Sequence, residues 1–351
     1  MSPRVGMIPP ISHPYEPDGY GPWERVTHDL TERLVELGVD VTLFAPSGSK
    51  TGAHLVETVE GPLSALPGAD PRLMEETHLA IAIEAARDLS IDLIHSHLHV
   101  HALVYSSLIP GRLLSTLHGV AWDQANHPLL RRYRDEAFVS LSQSERRFLP
   151  ELRYVATVAN GIRVNDFPLG EGDGGYLAFV GRIAPEKGPD LAIETARLAG
   201  MRLRMAGVVE DRHRAFFDGL DLAGPDVEYL GPLDRHDVAA LLGEAHAMLM
   251  PLRWEEPFGL VVVESLAAGT PVIAWRRGAM EEIVEEGVTG FLVDDIPAAV
   301  ASVPKVGSLS RLACRARAAT RFSDTRMASE YGMIYDRIVS TSSGRAPARV
   351  G

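Results

Sequence analysis

Short apolar runs alternate with amphipathic stretches along this chain, and the series runs through twice. Val5–Pro9 reads as a strand. Residues 22–37, PWERVTHDLTERLVEL, have helical spacing and stop at Gly38, a residue suited to a helix end. Strand-like runs follow at 39–45, 91–97, 113–118, 137–141 and 154–158, with a helical stretch over 71–89. Asn160-Gly161 is a turn signal, and the polar stretch 171–175, EGDGG, reads as a flexible linker. The series then restarts, with strands predicted at 176–180, 202–206, 227–230, 247–250 and 271–275. Such alternation predicts parallel βαβ units. The fold class is therefore α/β, with two Rossmann-like doubly wound domains facing each other across a cleft. Residues 1–165 make the N-terminal domain and 166–322 the C-terminal one. A long helix is predicted over 323–339, and the last residues, SSGRAPARVG, read as disordered or tag-like.

At 351 residues the chain has room for two domains. Its formal net charge of −13 weighs against a nucleic-acid partner, whose binding depends on many Lys and Arg side chains. A nucleotide stays compatible, because it needs only a local positive pocket. The single cysteine, Cys314, cannot form an internal disulfide, so nothing calls for an oxidising compartment. The start lacks a signal-peptide pattern, and no apolar run reaches the ~18 residues a membrane span needs. A cytoplasmic protein is expected, with no membrane contact.

Open α/β sheets bind ligands at the carboxyl ends of their strands. Three segments of the second half converge there. In the first, YLAFVG is followed by Arg182-Ile-Ala-Pro-Glu-Lys187-Gly188. A guanidinium fork and a compact ammonium both suit a phosphate. In the second, MAGVVEDR, Gly207 allows a backbone to approach a ligand closely. The third is EEPFGLVVVESLAAGTPVIA, residues 255–274. A helix is predicted to begin near Phe258, with the amides of Phe258, Gly259 and Leu260 pointing out of its end. Such an end attracts an anion. The three segments together fit a diphosphate held without a metal ion. Glu264 and Glu256 then meet hydroxyls at the two ends of the ligand: ribose for Glu264, a sugar for Glu256. Taken alone, Glu264 reads equally well as a satisfied buried acid and Glu256 as a solvated loop residue. The joint pattern favours function.

These residues resemble the retaining glycosyltransferases of family four, which have the GT-B fold. GRIAPEKG resembles the family's phosphate loop, and EPFGLVVVE its two glutamates with seven residues between them. AAGTPVIA and EEGVTGFLV are similar to the segments that follow, and GYGPWERVTHDLTERLVELGVDVTLFA to the glycine loop, first helix and second strand. IDLIHSH, STLHG and VANGIRVNDF match further stations. The resemblance covers nearly the whole chain and is densest over 176–293. It implies a nucleotide-diphosphate sugar as donor, retention at the anomeric carbon and a cleft active site. By resemblance, Arg182 and Lys187 hold the diphosphate, Glu264 binds ribose, Glu256 meets the donor sugar and His118 its C6 side. Gly19 and Gly21 belong to the glycine loop, and Leu230-Gly231-Pro232 edges the base. The helix at about 323–341 is implied to cross back onto the first domain.

Two positions depart from the family pattern. Gly21-Pro22 stands where two glycines are common, so one amide donor is missing. Trp275-Arg276-Arg277 stands where small or acidic residues are usual. Other signals carry less. His95, His97, His99 and His101 alternate like metal ligands, but no carboxylate or thiolate completes a site. His97 is assigned with Tyr20 to the acceptor side, and the other histidines to packing. APSGSKTG lacks P-loop spacing, and Gly19-Tyr20-Gly21 lacks the third glycine of a dinucleotide fingerprint. Arg131, Arg132 and Arg134 read as a solvated helix face, and a soluble small-molecule or oligosaccharide acceptor is expected. The composition is similar to that of transferases that decorate antibiotics. The alternatives are a nucleotide-sugar epimerase on the same scaffold, a transferase for a cell-envelope glycan or lipid, and a non-catalytic sugar-nucleotide binder.

Overall fold

The computed structural model describes residues 3–16, 21–98, 100–119 and 123–341. Gly19, Tyr20, His99 and the last ten residues lie outside that set. The described chain forms two all-parallel sheets. The first has the strands β1 (Arg4–Ile8), β2 (Asp40–Ala45), β3 (His54–Glu57), β4 (Leu93–Ser96), β5 (Arg112–Leu117), β6 (Ala137–Ser140) and β7 (Tyr154–Thr157). Their order is β3-β2-β1-β4-β5-β6-β7. The second has β8 (Tyr176–Val180), β9 (Arg202–Ala206), β10 (Val227–Tyr229), β11 (Ala247–Met250), β12 (Val272–Trp275) and β13 (Gly290–Val293), ordered β10-β9-β8-β11-β12-β13. Each order reverses once, between β1 and β4 and between β8 and β11. Those are the switch points where doubly wound sheets open a crevice.

The strands are runs of Val, Leu, Ile, Ala and Met because both faces of each sheet are covered. Apolar clusters lie on the two sides of the first sheet, around Leu79, Ile94 and Phe138 and around Met7, Leu30 and Val139. Two more sandwich the second, around Val263 and Met248 and around Phe179 and Ile273. The sequence reading lacked β3 and β13. The former is a half-exposed edge of four residues, HLVE, and the latter opens on a glycine. Neither has the long apolar run that marks a central strand.

The stretch 171–175 is no free connector. Gly170, Gly172 and Gly174 donate their amides to the carbonyls of Ala268, Gly243 and Glu244 at 3.0–3.1 Å, which fastens the segment to the second domain. The two crossings between domains lie side by side instead. Ile162 pairs with Ser323 as an isolated parallel bridge, closed by Ile162 N–H to Phe322 O at 2.9 Å and Asp324 N–H to Ile162 O at 3.0 Å. The last described helix, Asp324–Ser340, then packs on the first domain. Its Met327, Tyr331 and Tyr335 join Val5, Leu30 and Leu93 in one cluster.

Candidate active site

The carboxyl ends of β5, β6, β8, β9 and β11 face one another across the domain seam. Between them lies a cavity of about 710 Å3, lined by residues of both domains. Of the residues predicted from sequence, Gly21, His118, Arg182, Lys187, Gly207, Glu256, Phe258, Gly259, Leu260 and Glu264 all line it.

Lys187 sits on a short turn, Pro185–Lys187, that ends at Gly188 with φ +69°. A side chain at Gly188 would meet Pro251 O at 2.0 Å, so glycine is needed for the turn to reach the next loop. Arg253 ties these loops together: it takes both carboxylate oxygens of Asp190 at 2.6 Å and donates its amide to Glu186 O at 2.9 Å. As a result Lys187 Nζ lies 4.7 Å from the centre of the Trp254 ring and forms an ion pair with Glu256. Arg182 is held by Glu186 and Glu210, each at 3.3 Å.

The helix predicted to start near Phe258 runs over Leu260–Ala267, with Gly259 as its cap at φ +102°. Phe258 is the anchor: it is buried, its ring edge-on to Phe322 at 5.9 Å. Among the described residues no protein acceptor stands opposite the amides of Gly259, Leu260 and Val261. They form the anion-attracting end that this sequence predicts. Glu264 follows one turn further in. Burial raises its carboxyl above the usual range, Arg235 and Arg25 pull it down, and Asp29 adds to the rise.

Glu256 is held through its backbone. Gly278 has φ +58°, and a Cβ there would stand 2.1 Å from Glu256 O. Ala279 N–H donates to the same carbonyl at 2.8 Å, and Gly278 N–H donates to Glu255 Oε2 at 2.7 Å. Arg277 lies 3.8 Å from Glu255. The departure at 275–277 thus serves the loop that presents Glu256.

His118 directly follows β5, with its ring 6.0 Å from that of Trp23. The amide of the next residue, Gly119, donates to Glu145 Oε1 at 2.8 Å, and a Cβ on Gly119 would press within 2.9 Å of Pro257. Across the seam, Ser142 donates to Pro257 O at 2.8 Å, and Glu282 accepts the amides of Gln143 and Ser144, each at 2.9 Å.

Several expectations need correction. Leu230 does not line the cavity; it packs on the core of the second domain, and Pro232 and Leu233 take the wall instead. His97 is not on the cavity either. It is 1% exposed and hydrogen-bonded behind His118. Gly207 is required by a protein contact, since a Cβ there would lie 1.7 Å from Gly181 O. At the first helix, Pro22 offers no N–H, and Glu24 already takes the amide of His13 at 3.0 Å. His95 and His101 do not share a face: His95 is buried, and His101 meets Glu75 at 3.1 Å.

The sequence reading missed Arg25 and Arg235. Arg25 stands one turn into the first helix and Arg235 opens the helix Arg235–Glu244, both on the cavity wall beside Glu264. Arg235 pairs with Asp166 at 3.0 Å, and its guanidinium lies 5.1 Å from the Phe167 ring centre. Burial, and then the neighbouring Arg235, lower Arg25 from its ordinary value. Their one signal is position, since each stands in the first turn or two of a helix that follows a strand end.

The family model for glycosyltransferase family 4 matches residues 23–166, and that for glycosyl transferases group 1 matches 163–309. Together they run without a gap over most of the chain. The chain belongs to the family-four glycosyltransferases. Curated relatives include the D-inositol 3-phosphate glycosyltransferase of Mycobacterium avium (strain 104), 38% identical over 153 residues, which is 42% of this chain and 34% of that protein. The counterpart of Mycobacterium bovis (strain BCG / Pasteur 1173P2) is 36% identical over the same share of this chain and 30% of its own. The match thus spans about a third of these relatives' length. Solved structures confirm the GT-B architecture for this family-four chain. AviGT4, a glycosyltransferase involved in avilamycin A biosynthesis, superposes with a TM-score of 0.71 at 21% identity, covering 97% of this chain and 99% of its own. Sucrose-phosphate synthase from Thermosynechococcus elongatus gives 0.80 at 19% identity, covering 97% and 100%. Anabaena HepE in complex with UDP-glucose gives 0.68 at 18% identity, covering 95% and 100%. Among the described residues no helix is long and apolar enough to cross a membrane.

Proposed function

We propose that this protein transfers a glycosyl group from a nucleoside-diphosphate sugar to a hydroxyl of a soluble acceptor, with retention at the anomeric carbon and without a metal ion. One observation carries the reading. Lys187, Arg182 and the open amides of Gly259–Val261 share a cavity with Glu264, Glu256 and His118. The cationic loop and the helix end suit a diphosphate, and the acids suit the hydroxyls on either side of it.

The bond between the sugar's C1 and the diphosphate oxygen breaks as negative charge builds on that oxygen. Lys187 and the amides stabilise that charge where it develops. The acceptor oxygen bonds to C1 from the same face, and its proton passes to the departing phosphate. The products are a glycoside of retained configuration and a nucleoside diphosphate. The part a metal would otherwise play falls to the helix end and to Lys187 and Arg182, which the diphosphate must draw from their carboxylate partners Glu256, Glu186 and Glu210.

Small-molecule glycosylation is the setting we favour, since the structural neighbour AviGT4 is a glycosyltransferase involved in avilamycin A biosynthesis. The inositol-phosphate relatives add a phosphorylated polyol to the acceptors worth screening. The test is a panel of sugar nucleotides and acceptors, run with and without a chelator, with product configuration read by NMR. A retained glycoside formed in the presence of chelator supports the reading. An inverted product or chelator-sensitive turnover overturns that part of it. Conversion of the donor with no acceptor present would identify an epimerase instead.

A further inference from the structure

Behind His118 runs an unbroken file of polar side chains through the core of the first domain. His118 Nε2 meets His97 Nδ1 at 2.8 Å. His97 Nε2 meets His95 Nδ1 at 3.4 Å. His95 Nδ1 meets the Tyr335 hydroxyl at 2.7 Å, and His95 Nε2 meets Thr116 Oγ1 at 2.8 Å. His95 and Tyr335 are fully buried and His97 nearly so. Tyr335 belongs to the helix Asp324–Ser340, so the file joins the cavity to the element that crosses back from the second domain. A buried polar file of this length is costly unless every member is satisfied.

We propose that His97, backed by His95 and Tyr335, is a positioning residue that fixes the ring and the tautomer of His118. A neutral imidazole carries one N–H and one bare nitrogen. Burial keeps His95 neutral, pushing it down to about 3, and holds His97 well below its ordinary value. His97 therefore donates to one neighbour and accepts from the other, and the direction set at one end is passed to the other. A phenol donates to an imidazole nitrogen better than it accepts from one, and burial holds Tyr335 in its protonated form. Tyr335 thus donates to His95 Nδ1. With His95 Nδ1 bare, a bare His97 Nε2 at 3.4 Å would set two lone pairs against each other, so His97 carries its proton on Nε2, directed at a nitrogen whose main donor is Tyr335, and accepts at Nδ1. His118 carries its proton on Nε2, and its Nδ1 is the acceptor. The seating of the crossing helix is in this way read out at a side chain of the cavity wall.

The tautomer follows from the file alone; its effect on turnover rests on the glycosyl-transfer reading. The experiment is 15N NMR of histidine-labelled full-length protein, alongside kinetics. The expected signals place the proton of His118 on Nε2. His97→Phe keeps a ring in place and removes both nitrogens. It is expected to lower kcat by about 10²-fold, the scale of a small misplacement of a reacting group, with nucleoside-diphosphate affinity unchanged. His97→Asn restores a polar partner at the Nδ1 position and recovers part of that loss. Tyr335→Phe removes one oxygen and shifts the His118 signals without unfolding the chain. A His118 protonated on Nδ1 in the unaltered protein overturns the proposal, as do His118 signals that Tyr335→Phe leaves in place. If no sugar nucleotide is turned over at all, the functional reading falls while the NMR result still decides the tautomer.

Discussion

Lys187 and Glu256 form an ion pair on the wall of the interdomain cavity, each side chain largely shielded from solvent. The cation best placed to hold a leaving phosphate is thereby matched to the acid best placed to meet a sugar. A diphosphate would compete with Glu256 for the ammonium.

The competition gives a signed prediction. Glu256→Gln leaves Lys187 with a neutral neighbour, so a nucleoside diphosphate should bind more tightly while turnover falls. Lys187→Ala should lower turnover by roughly 10²–10³, the scale of one lost transition-state stabiliser, and weaken the same nucleotide. Calorimetry with a nucleoside diphosphate reads both. Equal or weaker binding in Glu256→Gln would show that the pair does not compete with the ligand.

Glu264 yields a second test. Removing its charge with Glu264→Gln should weaken nucleoside-diphosphate binding by roughly 10–100-fold, the cost of a lost hydrogen bond to a charged group. Because burial raises this carboxyl, binding to the unaltered protein should also fall as the pH drops through its raised pKa. In Glu264→Gln that part of the pH dependence should vanish. Nucleotide affinity identical in the two proteins would remove Glu264 from the ribose site.

Gly278 tests the backbone support of Glu256. A Cβ there would stand 2.1 Å from Glu256 O and at a φ of +58°. Gly278→Ala should therefore displace Glu256 and lower kcat by about 10²-fold while the helix-end amides still bind nucleotide. Unchanged kcat would mean that the loop relaxes without moving the acid.

Glu145 predicts a pH dependence of stability. Burial pushes its carboxyl up to about 8, against the amides of Leu141 and Gly119 that favour its charged form. The folded chain then holds a proton that the unfolded chain has already lost. This contribution is full below the ordinary carboxylate pKa and is lost as the pH rises through about 8. Melting temperature should fall across that window in the unaltered protein, and the fall should be smaller in Glu145→Gln. Parallel melting curves for the two proteins would show that Glu145 does not titrate there.

Much of the donor half was legible in sequence because its chemistry is local. Lys187 and Arg182 lie on one loop, and Glu256, Gly259 and Glu264 on one loop and the helix it opens. Spacing along a single strand–loop–helix unit is enough to aim such groups at one strand end. Leu230 and His97 were misplaced for the opposite reason. Whether a strand-end side chain faces a cavity or a core depends on what packs above it, and period alone leaves that open. Arg25 and Arg235 lie in different domains, and only the seam brings both beside Glu264.

The sequence by itself determined the two parallel sheets, the cationic loop and the glycine-capped helix end, since each arises from neighbours in the chain. The tertiary structure alone decided that Lys187 would be neutralised by Glu256, that a loop around Gly278 would hold that acid, and that His118 would be backed by a buried file reaching Tyr335. The physical reason is that electrostatic and hydrogen-bond partners are chosen by distance in space. Here those partners lie 69 residues apart for Lys187 and Glu256, 21 for His97 and His118, and 240 for His95 and Tyr335.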